Sequence, residues 1–190
     1  MQFLLVASLL LQVVASLPWP ITRATRASRP RHGSLTWLEL AQFHFEDYGL
    51  TNLCVECNKG EASDPMFDCL LKFDWMDPNV NHTCHCEKDW QWDGVTKENG
   101  PNNTYNTDYF VCKSEIAETF QFKFVTMTDL GAFTLMLSHI FRDSKDFPSP
   151  TVANLFGQTN LTLVSQEVSD TSLIYFTPDA IKAKIIGVTI

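Results

Sequence analysis

The stretch NHTCHCEKDWQWDG, residues 81–94, holds the densest set of side chains that could do chemistry. Cys84 and Cys86 flank His85, His82 lies three residues before His85, and two tryptophans follow. Imidazoles and thiolates bind zinc or copper, oxidised cysteines form disulfides, and tryptophans stack on sugar rings. These residue types therefore allow four interpretations: a metal site, a catalytic site, a carbohydrate platform, or a disulfide-linked turn beside a glycan.

The N-terminal segment predicts the compartment in which this stretch would work. Residues 1–16 carry no charged side chain and are almost wholly apolar from Phe3 to Ala15. The apolar run is shorter than the roughly 20 residues that a membrane span needs, so it is typical of a secretory signal peptide. We therefore expect a secreted, extracellular protein without membrane insertion.

Charge divides the rest of the chain into two parts. Residues 17–34 contain four arginines and no acid, and their composition predicts a basic disordered arm or pro-segment. All 22 acidic residues follow Ser34, and the whole chain has a net charge of −8. Residues 35–190 are long enough for one domain with a core, and their acidic balance argues against nucleic acid as a partner.

Alternating apolar and polar residues predict strands through this domain. FDCLLKFDW (67–75) and ETFQFKFVTM (118–127) alternate cleanly, and FTLMLSHIF (133–141) is interpreted as a central strand rather than a buried helix. The segment 36–48 also divides its apolar residues between two faces and is interpreted as a strand, with a helical turn in its first half as the alternative. Short apolar runs between turn residues predict further strands at 109–112, 161–165, 173–176 and 185–190. The pattern predicts an all-β fold: a single-domain, disulfide-linked antiparallel β-sandwich or β-barrel.

An even number of cysteines in an exported chain predicts disulfides. The six are Cys54, Cys57, Cys69, Cys84, Cys86 and Cys112, and we expect all of them to pair. The CVEC and CHC pairs superficially resemble zinc ligands, but an oxidising compartment and the tight CHC spacing disfavour metal. Close neighbours pair poorly within a strand, so the bridges should join the zones 54–57, 69–86 and 112. Cys112 with Cys84 or Cys86 would close a loop of about 25 residues.

Aromatic residues offer the best predicted binding surface. Trp90 and Trp92 stand at i and i+2 of an extended segment, so both indoles should project to one side, with Tyr105 or Tyr109 nearby. The alternative is that one tryptophan packs into the core. Glycosylation is expected at three sequons, which begin at Asn81, Asn102 and Asn160.

The remaining polar candidates are weaker. His82 and His85 with the neighbouring cysteines could hold copper or zinc if the thiols were free, but surface histidines on a disulfide-linked turn are favoured. His139 is expected to be a core histidine, and Ser138 cannot act with it because adjacent strand residues face opposite sides. The chain contains no hydrolase, zinc-protease or nucleotide-binding motif, so we expect no catalytic residue, no metal and no cofactor.

Five elements, in order, resemble small secreted cysteine-containing proteins of filamentous fungi. They are Phe73-Asp74, Thr83 to Trp90, Tyr109 to Cys112, Phe120 to Phe122, and Phe133 to Asp143. Across about residues 36–165 the chain resembles the AA1-like family, which is similar to the major Alternaria allergen. That resemblance implies a disulfide-linked β-barrel, often dimeric, with members proposed to act on host defence proteins. The family's dimer-forming cysteine has no match here, so a homodimer stays an open alternative.

Together these observations predict a secreted recognition protein without enzymatic activity, effector-like or allergen-like. Its partner would be an extracellular or host protein, or a cell-wall glycan. The first alternative is a carbohydrate-binding module that uses Trp90 and Trp92. A small secreted hydrolase or metalloprotein is less favoured.

Overall fold

The computed structural model describes residues 44–116, 118–143 and 152–189. Ten strands, and no helix, make up the regular structure of these residues. The strands are β1 Tyr48–Asn58, β2 Phe67–Asp77, β3 His82–Trp92, β4 Phe110–Val111, β5 Thr119–Asp129, β6 Ala132–Arg142, β7 Val152–Thr162, β8 Val164–Val168, β9 Ser172–Phe176 and β10 Ile181–Thr189. The predicted all-β class is confirmed.

The strands form one antiparallel sheet that is nearly closed into a barrel. Neighbours follow the order β3-β2-β1-β10-β7-β6-β5-β4. The two ends of this path meet at His85 of β3 and Lys113, just after β4, whose backbones exchange two hydrogen bonds of 3.3 and 3.0 Å. We call this junction, together with the Cys86–Cys112 disulfide beside it, the seam.

A hairpin outside the barrel path extends the sheet. Strand β1 pairs with β10 through Tyr48–Leu50 and with β9 through Cys54–Asn58. A bulge between Thr51 and Cys54 separates the two halves, and Asn52 adopts a left-handed φ of 53° there. Strand β8 pairs only with β9 and is exposed along its length. The strand β1 therefore changes partner halfway along, because the bulge redirects its second half.

Aromatic side chains fill the barrel interior. The inward positions of β2, from Phe67 to Asp77, are all buried, as the period-two pattern predicts. Trp75 meets Phe120 edge-on with ring centroids 4.9 Å apart, and Phe73 meets Phe122 in the same way at 5.0 Å. An eight-stranded barrel is just wide enough to be filled by side chains in this way. The large apolar residues of the sequence thus form a packed core.

One glycine in β7 makes room for a buried tyrosine. A Cβ atom at Gly157 would lie 2.6 Å from the Cδ2 atom of Tyr48, which is too close for any side chain. Tyr48 is fully buried and donates its hydroxyl to the carbonyl of Leu155 at 2.7 Å. Burial, together with the nearby Asp77 carboxylate, raises the pKa of Tyr48 well above its ordinary value.

Most predicted strands agree with the structure, and several differ. The run 161–165 is divided at Leu163 between the end of β7 and the start of β8, so the prediction of one strand there is wrong. Strands β1, β3 and most of β7 were not predicted as strands. The predicted strand 36–48 falls largely outside the described residues, as do the predicted signal peptide (1–16) and arm (17–34).

No helix that could cross a membrane is found in the described part of the chain.

Candidate functional site at the barrel seam

Strand β3 separates the candidate residues of NHTCHC onto two faces. His82, Cys84 and Cys86 point inward, whereas Thr83 and His85 point outward, because side chains alternate along a strand. His85 instead contacts Asp74, its cross-strand neighbour on β2, with 2.7 Å between Nδ1 and Oδ1. A metal site made of His82, Cys84, His85 and Cys86 is therefore not assembled.

The cysteines form two disulfides, not three. Cys57 pairs with Cys69, which lies directly opposite on β2. Cys112 pairs with Cys86, one of the two partners that the sequence left open, and closes a loop with a sequence separation of 26. Cys54 and Cys84 are free, so the expectation that all six cysteines pair is wrong for these two. The register places no cysteine opposite either of them on β2 or β3, since Cys54 faces Lys72 and Cys84 faces Trp75.

The two free thiols should differ from ordinary surface cysteines in their reactivity. Burial and the nearby Asp74 carboxylate raise the pKa of Cys84 to about 12, and burial and Glu56 raise the pKa of Cys54. Because the thiolate is the nucleophile, iodoacetamide at pH 8 should leave Cys84 of the native protein unlabelled and label Cys54 slowly. Mass spectrometry after unfolding without reductant should then show both thiols labelled. Rapid native labelling of Cys84, or no labelling at all after unfolding, would contradict this prediction.

The predicted aromatic platform is not present as a surface. Trp90 is 4% exposed and packs against Phe124 in the core, and Tyr105, 6% exposed, contacts the same ring. Trp92 is half-buried, donates its indole N–H to the carbonyl of Thr96, and lines a separate cavity of about 240 Å³. Both tryptophans project to the same side of β3, as the spacing predicted, but that side faces the interior of the barrel. The prediction of an exposed binding surface is therefore wrong for Trp90 and Tyr105.

Tyr109 is the fourth aromatic residue of the predicted surface. Its ring is partly buried, and the Lys123 ammonium lies 4.9 Å from the ring centroid. Burial raises the pKa of its hydroxyl. Tyr109 is therefore occupied by a cation–π contact within the chain.

A cluster that the sequence did not predict lies inside the barrel near the seam. The Oε2 atom of Glu118 lies 2.6 Å from Nδ1 of His82 and 3.1 Å from Nε2 of His139. The other ring nitrogen of His139 lies 2.7 Å from Oδ2 of Asp77. His139 and Asp77 are completely buried, whereas the side chains of His82 and Glu118 keep 35% and 18% of their exposure. Two imidazoles and two carboxylates thus form one chain of contacts from the core to the surface.

The backbone arrangement explains how these four residues meet. Asp77 ends β2 and His82 begins β3, so the two flank one hairpin turn as cross-strand neighbours. Glu118 immediately precedes β5, and His139 on β6 lies opposite Phe120 of β5. Curvature of the sheet brings β2 and β3 against β5 and β6 across the barrel. The cluster therefore depends on barrel closure and not on any local motif.

The neighbours of the cluster hold its groups in place. The backbone N–H and side-chain amide of Asn79 donate to Oδ1 of Asp77 at 2.9 and 2.8 Å. The Phe120 ring stacks on the His139 ring with centroids 3.7 Å apart and planes 17° apart. Ser138, by contrast, faces the other way and bonds Gln121 and Asn154. His139 is a core histidine, as predicted, and Asp77 and Glu118 are the site residues that sequence reasoning missed.

An open cleft of about 750 Å³ lies on the outside of the seam. We call it the seam cleft. Most of its lining side chains are charged or polar, and His82 and Cys84 lie at its inner side. The lining residues are Asp74, Asn81, His82, Thr83, Cys84, His85, Lys113, Ser114, Glu115 and Ile116. Hydrogen bonds from Asn52 and His85 lower the pKa of Asp74. Lys113 pairs with Glu87 across the seam. The cleft therefore joins the surface of the seam to the inner cluster through His82.

The three sequons lie at positions that a glycan could occupy. Asn81, Asn102 and Asn160 are all exposed. Asn81 adopts a left-handed φ of 57° in the β2–β3 turn and lines the seam cleft. A glycan on Asn81 would stand at the edge of the cleft.

No protein-family model, curated protein or solved structure matches this chain.

Proposed function

We propose that this protein is a secreted recognition protein that binds an extracellular protein at the seam cleft. The observation that carries the proposal is the cleft itself, a depression of about 750 Å³ lined by exposed charged groups on a rigid, disulfide-linked sheet. Small-molecule pockets commonly have volumes of roughly 300–1,000 Å³, so a cleft of this size has room for a protruding side chain or loop of a partner. The two disulfides support work in an oxidising, extracellular environment.

The chemistry of the cleft favours a protein partner over a glycan. Sugar-binding surfaces stack rings on exposed tryptophan or tyrosine, and none of the residues that line this cleft is either. The domain after Ser34 carries all 22 acidic residues of the chain, so a basic partner would be attracted to it. We therefore infer a partner with basic side chains. An effector-like or allergen-like role agrees with this kind of binding and needs no enzymatic activity.

The test compares a cleft variant with a matched variant elsewhere on the surface. Immobilised wild-type protein is incubated with extracellular fluid and, separately, with insoluble chitin, glucan and cellulose, and each retained protein is then measured individually. A Glu115→Arg/Ile116→Arg variant should weaken binding by at least about tenfold, as an interface charge reversal does. A Val164→Arg/Val168→Arg variant on the exposed strand β8 should bind like the wild type.

Three outcomes would contradict the proposal. Retention only on a polysaccharide would favour the carbohydrate-binding alternative. Loss of binding in the β8 variant, but not in the cleft variant, would place the partner on the edge of the sheet. Equal binding by all three proteins would show that the cleft takes no part.

The cluster of His82, Glu118 and His139 favours a second candidate, a metalloprotein, because it brings two imidazoles and a carboxylate together.

A further inference from the structure

We propose that His82, Glu118 and His139 bind a divalent transition-metal ion, Zn²⁺ by ligand type, at the inner side of the seam cleft. The inference goes beyond the proposed recognition function and does not depend on it. Two imidazole nitrogens and one carboxylate oxygen form a ligand set that zinc takes in proteins. His82 lines the cleft, whereas His139 is fully buried, so the cluster lies between the cleft and the core.

The distances between the donor atoms already approach those of a bound ion. One donor atom from each of His82, Glu118 and His139 lies within 4.8 Å of the other two. Tetrahedral zinc with bonds of about 2.0–2.1 Å holds neighbouring ligand atoms about 3.3 Å apart. The carboxylate oxygen lies 2.6 Å from one imidazole and 3.1 Å from the other, and the two imidazole donors lie within 4.8 Å of each other. Shifts of about 1 Å or less for each donor would therefore bring all three to the spacing of zinc ligands.

The buried histidine is oriented as a metal ligand by its neighbours. Nδ1 of His139 lies 2.7 Å from the Asp77 carboxylate and Nε2 lies 3.1 Å from Glu118, so the tautomer with its proton on Nδ1 would leave Nε2 available as a ligand. Such a carboxylate behind a coordinating imidazole is the usual support of a histidine ligand, because it fixes the tautomer and the ring plane. Stacking on Phe120 fixes the same plane a second time.

The charges of the cluster balance a divalent cation. Asp77 and Glu118 together supply two negative charges, and with neutral imidazoles they would make the bound site neutral. Neutrality matters here because Asp77 and His139 are fully buried, where an uncompensated charge is costly. A metal ion could reach the cluster from the seam cleft, because the partly exposed side chain of His82 lines that cleft. A further coordination position would therefore face the cleft.

The second group of donors within reach of one another is unsuited to this role. Cys84, Cys86 and Cys112 also cluster, but Cys86 and Cys112 are joined in a disulfide. Only the Cys84 thiol of this group remains, and a single sulfur ligand does not make a zinc site. In the oxidised protein, the metal should therefore select the histidine cluster.

The experiment titrates Zn²⁺ into untagged, oxidised protein from which metal has been removed with a chelator. Calorimetry should show about one Zn²⁺ ion bound per chain, since the cluster offers one set of ligands. His82→Gln and Glu118→Gln should each weaken binding by at least about 100-fold, and Asp77→Asn by about 10- to 100-fold. The matched control is His85→Gln, which removes a histidine from the same strand and the same cleft but leaves the ligand set intact.

Folding and ligand identity are checked on the same samples. Circular dichroism and thermal melting without metal show whether each variant is folded, and His82 is suitable because its side chain is partly exposed. Co²⁺ then serves as a spectroscopic probe and should give an absorption spectrum with nitrogen and oxygen ligands only. No binding of Zn²⁺, unchanged binding by folded His82→Gln, or a thiolate-to-cobalt band would each overturn the proposal.

Discussion

Replacing Asp77 with alanine is expected to destabilise the fold by about 3 kcal/mol, the cost of leaving buried hydrogen-bonding groups without their partner. Asp77 and His139 are both fully buried, and the distance between Oδ2 and Nδ1 is 2.7 Å. The substitution would remove the partner of the buried imidazole Nδ1 and the acceptor of the Asn79 backbone N–H, whereas the Asn79 side-chain amide would keep its bond to the carbonyl of Glu46. Urea unfolding should show a lower midpoint at an unchanged slope.

The same strand offers a matched control for this substitution. Asp74 contacts His85 at the same distance of 2.7 Å, but the two side chains are 45% and 47% exposed. Solvent screens such a pair, so Asp74→Ala should cost no more than about 1 kcal/mol. The loss of unfolding free energy for Asp77→Asn should fall between these two values. The amide keeps one acceptor oxygen, but it places an N–H donor where the carboxylate had a second acceptor oxygen. A similar cost for Asp77→Ala and Asp74→Ala would contradict the importance that we assign to burial.

Removing the Cys86–Cys112 disulfide should destabilise the protein by about 3.5 kcal/mol. The estimate follows from the loop entropy that the bridge removes from the unfolded chain, with a sequence separation of 26. A Cys57→Ala/Cys69→Ala variant should lose about 2.8 kcal/mol, since that separation is 12. Chemical unfolding of both variants measures the two costs.

The local consequences of the two deletions should differ more than their free energies. At the seam, two backbone hydrogen bonds between His85 and Lys113 and the ion pair between Lys113 and Glu87 support the junction beside Cys86–Cys112. Cys57 and Cys69, by contrast, lie in a continuous ladder between β1 and β2. Hydrogen exchange should therefore accelerate at the amides of His85 and Lys113 in the seam variant, whereas the β1–β2 amides stay protected in the other. Equal protection at the seam with and without its disulfide would refute this expectation.

Period-two alternation predicted the strands that have strong apolar contrast between their faces. In β2 and β5 the inward positions that the sequence suggested are large apolar residues except for Cys69, so the pattern was visible. In β3 the inward face includes Lys88 and two cysteines, and in β7 it includes Gly157 and Thr159, so the contrast was weak. Small or polar inward residues are allowed there because the neighbouring aromatic rings occupy the space.

The inner cluster could not be predicted from local patterns. Asp77 and His82 are near in sequence, but Glu118 and His139 come from the other side of the barrel. Their meeting depends on strand register and on sheet curvature, and both are properties of the whole fold. The one available signal was Asp77 itself, an acid on the inward period of an otherwise apolar strand. Such a residue is seldom buried without a charged partner.

The strand order also dictates the sequence of events during synthesis. Strand β1 cannot pair with β10 until residues 181–189 have been synthesised, because these two strands are neighbours in the sheet. All six cysteines emerge long before that, between residues 54 and 112. Disulfides can therefore form while the barrel is incomplete. Cys84 lies two residues from Cys86, so the two thiols can compete to pair with Cys112. Productive folding of this protein should accordingly depend on thiol–disulfide exchange that corrects a Cys84–Cys112 bridge before β10 completes the sheet.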